Sequence, residues 1–552
     1  TLFRSLAVLY LRTNVPSFSA VSASVTFLFQ LMIAGTVIAV LRNEAGLSTF
    51  GVFGPAILAF TWLEVGAIWG FFMISYLFVV TVTTRIALAG LDLGTPHRVA
   101  ALLVVAGIAA FTLQAVGQVQ GLPGLSMVLL FPIILTTWYA ERFVESIAET
   151  GWAPATRRLN FTLVGIAVAA LIAGYEPLVA VVSQNPETWV GLAAVNIFLG
   201  AGTNLRLSEY LRFNQLRKSL GEEKAGGVLT MRVRNRDFIS RYNPAPLMAQ
   251  FTKVKMKRLL HGLAIPTPET FMVVEDETDL EEFGSFIDEQ NHFVVKPVDG
   301  SGGRGVLVVR GRDDESGTFT TNRGAFTTRE IVSHARQICF SGNADYGAQS
   351  SAIVEAMVNP DGLLADRVEG GVPDLRVIVL EGVPIMAMSR LPTVESNGTA
   401  NIHTGAVAVA VDIATGTTSG GYQQTRNKFV ETHPDTGASL EFGIPDWESV
   451  LETAARTSIA SGFGYTGVDI VFDADHGPMV LEVNRRPGLG IQNANMDGLL
   501  HRLRFAEAES PNTQFMTAKE RVQQAIAWSR ADWKPQSPER PPETPEKQEV
   551  VQ

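Results

Sequence analysis

The chain is 552 residues long, too long for one domain and ample for two or three. Its 44 Lys and Arg against 54 Asp and Glu exclude the basic footprint of a nucleic-acid binder. One cysteine, Cys339, excludes an intramolecular disulfide and suits a reducing compartment for the soluble part. A mean hydropathy of +0.18 conceals a split: nearly all long apolar runs precede residue 206, and most charge follows it. The chain starts at Thr1 rather than Met, as expected of a fragment or a processed product.

Apolar runs at 21–41, 65–84, 99–118, 122–140, 161–182 and 189–205 mostly reach the ~17–25 residues needed to cross a bilayer. A seventh, 51–63, is short and contains Pro55. Six to seven spans make residues 1–205 an all-α polytopic membrane domain. Arg85 and Arg98 flank one loop, Arg142, Arg157 and Arg158 occupy another, and Arg206, Arg212, Arg217 and Lys218 follow the last run. The intervening stretches 119–121 and 176–188 carry no Lys or Arg. This alternation places everything after residue 206 in the cytoplasm. Glu64, Glu141 and Arg142 are expected as interfacial residues at span ends.

Residues 206–245 form a basic connector, with Arg232, Arg234, Arg236 and Arg241 facing anionic lipid, an acidic substrate or solvent. KVKMKRLLHGL, 253–263, reads as a helix in which Lys253 and Lys257 share a face. We expect Lys257 on a solvated face. HFVVKPVDGSGGRGVLVV, 292–309, reads as strand, glycine loop, strand. Lys296 ends the first strand; Gly300, Gly302, Gly303 and Gly305 let backbone amides approach an anion, and Ser301 adds a hydroxyl. AIVEAMV, 352–358, is a strand with Glu355 in apolar company. PDLRVIVLEGVPIMAMSRLP, 373–392, is a hairpin bearing Asp374, Arg376 and Arg390. Asn401 and His403 precede a further strand, and 446–462 reads as a helix with Asp446 as N-cap and Gly462 at its end. A helix is expected around 494–509, and disorder from about 533.

The most informative stretch is GVDIVFDADHGPMVLEVNRRPG, 467–488, two strands joined by a short turn. Glu482 and Asn484 are two apart and share a sheet face. If the hairpin pairs, Asp469 joins them, and two acids with an amide suit magnesium carrying a nucleotide triphosphate.

Together these pieces resemble the ATP-grasp fold: FVVKP with SGGRG, then IVEAMV, DLRVIV, GVDIVF and LEVN. Within it, RYNP, GSGGRG, ANIHTGAV and NRRPGL resemble the glutamate-ligase branch, closest to alpha-L-glutamate ligase-like proteins. FPIILTTWYAERFVE with RLSEYLRF resembles the seven-helix membrane domain found with transglutaminase-like proteins. The implied fold class is an N-terminal all-α membrane domain, 1–205, and a C-terminal α+β ATP-grasp domain, 246–510, joined by the 206–245 connector. A C-terminal helix and a tail occupy 511–552.

The resemblance implies that Asp469, Glu482 and Asn484 hold magnesium, two ions, with manganese as an alternative. Lys253, Lys296, Ser301, Gly302, Gly303 and Gly305 contact ATP phosphates, and Glu355, Ala356 and Val358 cradle adenine. Arg376, Lys296 and Arg486 serve catalysis, while Asn401, His403 and Arg390 bind the substrate. Thr404 stands where the ribosome-modifying ligases carry Arg, and Thr252 where an Asp usually precedes the lysine. The implied activity is carboxylate–amine ligation through an acyl phosphate, on an amino acid or peptide, by a multi-pass protein of a bacterial inner membrane. A partner protein at the membrane domain and an oligomer stay open. The alternative is an ATP-binding module that regulates the membrane domain without turnover.

Overall fold

The computed structural model of the chain describes residues 23–88, 95–125, 130–150, 152–185, 187–202, 207–214, 216–218, 220, 227–298, 305–313, 315–340, 351–360, 362–513 and 515–534. The chain divides into two units, Thr1–Asn214 with Thr270–Met357, and Gln215–Glu269 with Val358–Gln552.

The N-terminal part of the first unit is helical: α1 (Ala23–Asn43), α2 (Phe53–Val65), α3 (Ala67–Ala87), α4 (Thr95–Val119), α5 (Leu130–Thr150), α6 (Trp152–Ala173), α7 (Glu176–Gln184) and α8 (Glu187–Gly202). Among the described residues four helical stretches are long and apolar enough to cross a membrane: Thr26–Asn43, Ala67–Ala87, His97–Val119 and Ala155–Ala173. Phe53–Val65 and Glu187–Gly200 are apolar but shorter. Ile38, Leu58, Ala59, Ile166 and Ala169 form the inner core of α1, α2 and α6. Val104, Ile108, Phe111, Leu171 and Phe198 stay exposed, as lipid-facing side chains do.

Two expected spans differ. The run 122–140 is overtaken by α5, because good helix formers in YAERFVESIA carry the helix onward. Glu141 and Arg142 thus sit inside a helix and not past its end. The run 161–182 breaks after Ala173, and α7 restarts with Pro177 in its first turn, where proline is tolerated.

Residues 270–357 form a six-stranded antiparallel sheet from β1 (Thr270–Val274), β2 (Phe293–Pro297), β3 (Leu307–Arg312), β4 (Phe319–Thr321), β5 (Gly324–Phe326) and β6 (Ala352–Glu355), in the order β1-β6-β2-β3-β4-β5. The helices α9 (Glu277–Glu289) and α10 (Thr328–Phe340) bury their apolar faces on it, around Phe283, Phe293, Val295, Leu307, Ile331 and Val354.

The second unit holds a seven-stranded antiparallel sheet: β7 (Asp374–Leu380), β8 (Val383–Leu391), β9 (Val407–Val411), β10 (Thr418–Gln423), β11 (Lys428–Val430), β12 (Tyr465–Asp473) and β13 (Gly477–Asn484), in the order β11-β10-β9-β8-β7-β12-β13. The β7–β8 turn places both Glu381 and Gly382 at positive φ, which matches the twist of the flanking strands. The helix α11 (Trp447–Ser461) packs across β7, β8, β12 and β13, with α12 (Leu499–Thr513) and α13 (Ala518–Arg530) against β8. Gly462 ends α11 in the left-handed conformation, as expected. Asp446 does not cap it: its own backbone is left-handed and its side chain makes no cap bond.

The expected basic connector is built into this unit from residue 227 on. A π turn, Arg234–Ile239, lies in a short helical segment there. Arg234 is buried and donates to the Pro487 carbonyl at 2.8 Å. Asn243 bonds both the amide and the carbonyl of Tyr465. Arg236 and Arg241 are paired with Asp237 and Glu507. Arg234 and Arg241 thus tie this segment to the rest of the unit, whereas Arg236 pairs with its own chain neighbour.

Candidate active site

The 467–488 hairpin forms as expected, and its register sets the site. Asp469 on β12 lies directly opposite Glu482 on β13, and Gly467 opposite Asn484. Pairing on one face, with Asn484 two residues on, gathers all three oxygen-bearing side chains. On the other side of β12, Asp469 lies opposite Arg376 of β7, and Asp374 of β7 lies opposite Arg390 of β8. A row of charged side chains thus crosses four adjacent strands.

Within that row Asp469 is the hub. Arg376 grips it with two bonds, Nε to Oδ1 at 2.7 Å and Nη2 to Oδ2 at 2.6 Å. Arg390 Nη2 reaches Oδ2 at 3.0 Å, and Asn484 Nδ2 donates to the same oxygen at 2.8 Å. Arg390 also forks onto Asp374, with Nε to Oδ1 at 2.6 Å and Nη2 to Oδ2. Asp374, Arg390 and Asp469 are all buried. Burial alone raises the Asp469 carboxyl, but Arg376 and Arg390 outweigh it and hold it below the ordinary carboxylate range. Burial pushes Asp374 up to about 6 against the pull of Arg390. Glu482, on the edge strand, keeps 35 % of its side chain exposed and meets Lys253 Nζ at 3.4 Å.

Arg390 is therefore not placed to touch a substrate, as the sequence suggested; both edges of its use are carboxylates of its own sheet. Lys257 is corrected too. It is buried, and its ammonium donates to the Pro268 carbonyl at 3.2 Å instead of facing water. Arg486 is exposed. Arg485 lies over the Phe251 ring, 5.0 Å from its centre. His403 is exposed and oriented: its backbone amide donates to Asn401 Oδ1 at 3.0 Å, and Gln424 Nε2 donates to its Nδ1 at 2.9 Å. Gln424 gave no sequence signal, because nothing local marks a glutamine 21 residues away as a histidine's partner.

In the six-stranded sheet, Lys296 on β2 and Glu355 on β6 form an ion pair, with Glu355 buried. The strand ends at Glu355, so Ala356 and Val358 lie past it and not within it. Ser301, Gly302 and Gly303 lie outside the described residues. Gly305 is held at its carbonyl by His334 Nε2, 2.9 Å away. Burial keeps the His334 ring below its ordinary pKa, which suits a neutral donor. His334 escaped sequence reading because it occupies the core face of α10.

Among the described residues no three His, Cys, Asp or Glu side chains gather as a metal group. The set on β12 and β13 contains two acids and an amide. Magnesium takes one or two carboxylates and leaves the rest of its shell to water and phosphates. Glu482 and Asn484 fit that demand from a half-exposed edge. Asp469 brings charge but gives its oxygens to two guanidinia in this arrangement.

The family described as sugar-transfer associated ATP-grasp matches residues 233–508. The family described as seven transmembrane helices usually fused to an inactive transglutaminase matches residues 18–217. This match and the four long apolar helices make the chain a membrane protein. No curated protein matches. Solved structures similar to this chain include the ATP-grasp ligase PsnB with its minimal precursor, at 15 % identity over 60 % of this chain and 75 % of that one, with a TM-score of 0.27. D-cycloserine synthetase DcsG is 17 % identical over 55 % and 81 %, with a TM-score of 0.29. D-alanine–D-alanine ligase from Bacillus anthracis is 15 % identical over 51 % and 68 %, with a TM-score of 0.24. The glutamate-ligase subtype suggested by the motifs finds no support in these matches.

Proposed function

The chain belongs to the sugar-transfer associated ATP-grasp family, and from that membership we propose that it is a membrane-anchored, ATP-dependent carboxylate–amine ligase whose catalytic part faces the cytoplasm. The observation that carries the reading is the register that puts Asp469, Glu482 and Asn484 on one sheet face with Arg376 forked onto Asp469. A ligase needs this: oxygen ligands for a phosphate-bound cation beside a fixed guanidinium.

In the proposed reaction a carboxylate oxygen attacks the γ-phosphorus of ATP, the bond to the bridging oxygen breaks, and ADP leaves. A neutral amine then attacks the acyl carbon, inorganic phosphate departs with the former carboxylate oxygen, and the proton lost by the amine leaves with the phosphate. Bound magnesium, two ions by the resemblance, would neutralise the phosphates. Glu482 and Asn484 would orient the phosphates through it. Arg376 would meet negative charge that grows on the transferred group, and its anchor on Asp469 removes the need to reorganise during the step. Lys253, beside Glu482, would add charge at the phosphates, and Lys296 is proposed for nucleotide contact from the resemblance alone. His403, Asn401 and Arg486 are proposed for the acceptor, which for this family we extend from amino acids and peptides to sugar-bearing amines.

The engagement of both Asp469 oxygens by guanidinia favours a second reading, a nucleotide-binding module without turnover. The two are separated by ADP release from the full chain in lipid nanodiscs, with magnesium, ATP and a panel of amino acids, peptides and amino sugars. Release that depends on one acceptor, and is lost in Glu482→Ala, supports the ligase. Magnesium-dependent nucleotide binding with no release across the panel supports the module.

A further inference from the structure

The charged row has a member that the proposed chemistry does not use. Asp374 cannot touch a ligand: it is buried at the start of β7, and its two oxygens face the Arg390 guanidinium. Arg390 is buried with it, and its Nη2 bridges Asp374 and Asp469. Burying three charged groups side by side is costly unless their geometry is fixed and their hydrogen bonds are satisfied. Apolar side chains would fill the same space at no loss of stability. Among the described residues the pair connects to the candidate site through its bond to Asp469, which also binds Arg376 and Asn484.

We propose that Asp374 and Arg390 are positioning residues that pin the Asp469 carboxylate, so that Asn484 and Glu482 present a preset oxygen pair to a magnesium–nucleotide complex. The inference rests on the nucleotide reading above. Asp374 fixes the plane of the Arg390 fork; the fork fixes Asp469 Oδ2; and Oδ2 orders the Asn484 amide, which turns its own oxygen away from Asp469. The order follows from the donors: Asn484 Nδ2 is the atom that meets Oδ2, at 2.8 Å. Outer partners of this kind typically change metal affinity about 10–100-fold when lost.

The test is binding, not turnover. Radiolabelled ADP is equilibrated with the full chain in nanodiscs while magnesium is titrated, for the native protein, Asp374→Asn, Arg390→Lys and the double variant Asp374→Leu/Arg390→Met. The double variant removes both charges together, so it is the one expected to keep native thermal stability. The expected result is a rise of about 10–100-fold in the magnesium concentration for half-maximal ADP binding in the double variant. A smaller rise is expected in Arg390→Lys, which keeps the charge but not the fork. A folded double variant with the native magnesium midpoint overturns the positioning role and leaves the nucleotide reading standing. A native chain that binds no ADP at any magnesium concentration overturns both.

Discussion

Arg376 is bidentate on a carboxylate that is itself fixed, and that makes its replacement diagnostic. A lysine there keeps one positive charge but cannot span both oxygens of Asp469. Arg376→Lys should lower kcat for ADP release by about 100-fold or more with little change in the KM for ATP, since a lost preorganised donor costs chiefly at the transition state. An equal rise in KM with unchanged kcat would instead assign Arg376 to ground-state binding. The Lys296–Glu355 pair makes a contrasting case. Glu355 is buried, whereas Lys296 keeps 13 % of its side chain exposed. Glu355→Gln leaves a nearly buried ammonium without its carboxylate, and we expect a loss of about 3 kcal/mol, the low end for a broken buried pair. Replacing both, as Lys296→Met/Glu355→Leu, should restore most of the thermal midpoint while abolishing ADP binding. Recovery of binding along with stability would remove Lys296 from the nucleotide site.

At the scale of elements, the segment before the Lys253–Gly262 helix is tied to α12 by a compact ion network. Arg504 meets Asp237 at 2.5 Å and Glu507 at 2.7 Å, and Arg241 and Tyr242 meet Glu507 at 2.6 and 2.8 Å. The Arg236 hydrogen bond leads in holding Asp237 below its ordinary 3.8. Burial raises Glu507, but Arg504 and Tyr242 outweigh it and leave it below 4.5. Depressed folded values mean that the unfolded chain takes up protons first as pH falls. The docking energy is thus complete above about pH 5 and is lost as pH drops through the carboxylate range. Unfolding midpoints of the full chain in detergent should fall between pH 5 and 3, and Asp237→Asn/Glu507→Gln should flatten that slope; an unchanged slope would assign the acid sensitivity elsewhere. This network also shows why the hairpins were legible and the connector was not. The strands Tyr465–Asp473 and Gly477–Asn484 announce themselves by β-branched alternation and a polar turn, all local signals. Arg234 and Arg241 read only as charge, because Pro487 and Glu507 lie more than 240 residues away along the chain. The same limit hid Lys257: spacing places it on a helix face, but which face is buried depends on the Pro268 carbonyl beneath.

For the whole molecule, the membrane part was legible as a class but not as a set of spans, since hydropathy averages over residues whose partners lie on other helices. Glu141 is the clearest instance. It reads as a span end, yet it is buried within α5, accepting from Arg85 of α3 at 2.7 Å and Arg98 of α4 at 2.6 Å. Intramembrane charges of this kind survive only when paired. The orientation that the loop charges predict can be read out independently of any activity. Cys339 is the chain's one cysteine, it is buried, and burial raises its thiol pKa, so the native protein should label poorly with maleimide. Gln120 follows α4 in the stretch without Lys or Arg and is exposed, while Lys218 is exposed among the basic residues after the last apolar run. On intact cells, Gln120→Cys should react with a membrane-impermeant maleimide, and Lys218→Cys only after permeabilisation. The opposite pattern would put residues 227–534 on the side of the membrane without ATP. A ligase that draws on cellular ATP could not work there, so this labelling tests the proposed function at its weakest physical requirement, the supply of its nucleotide.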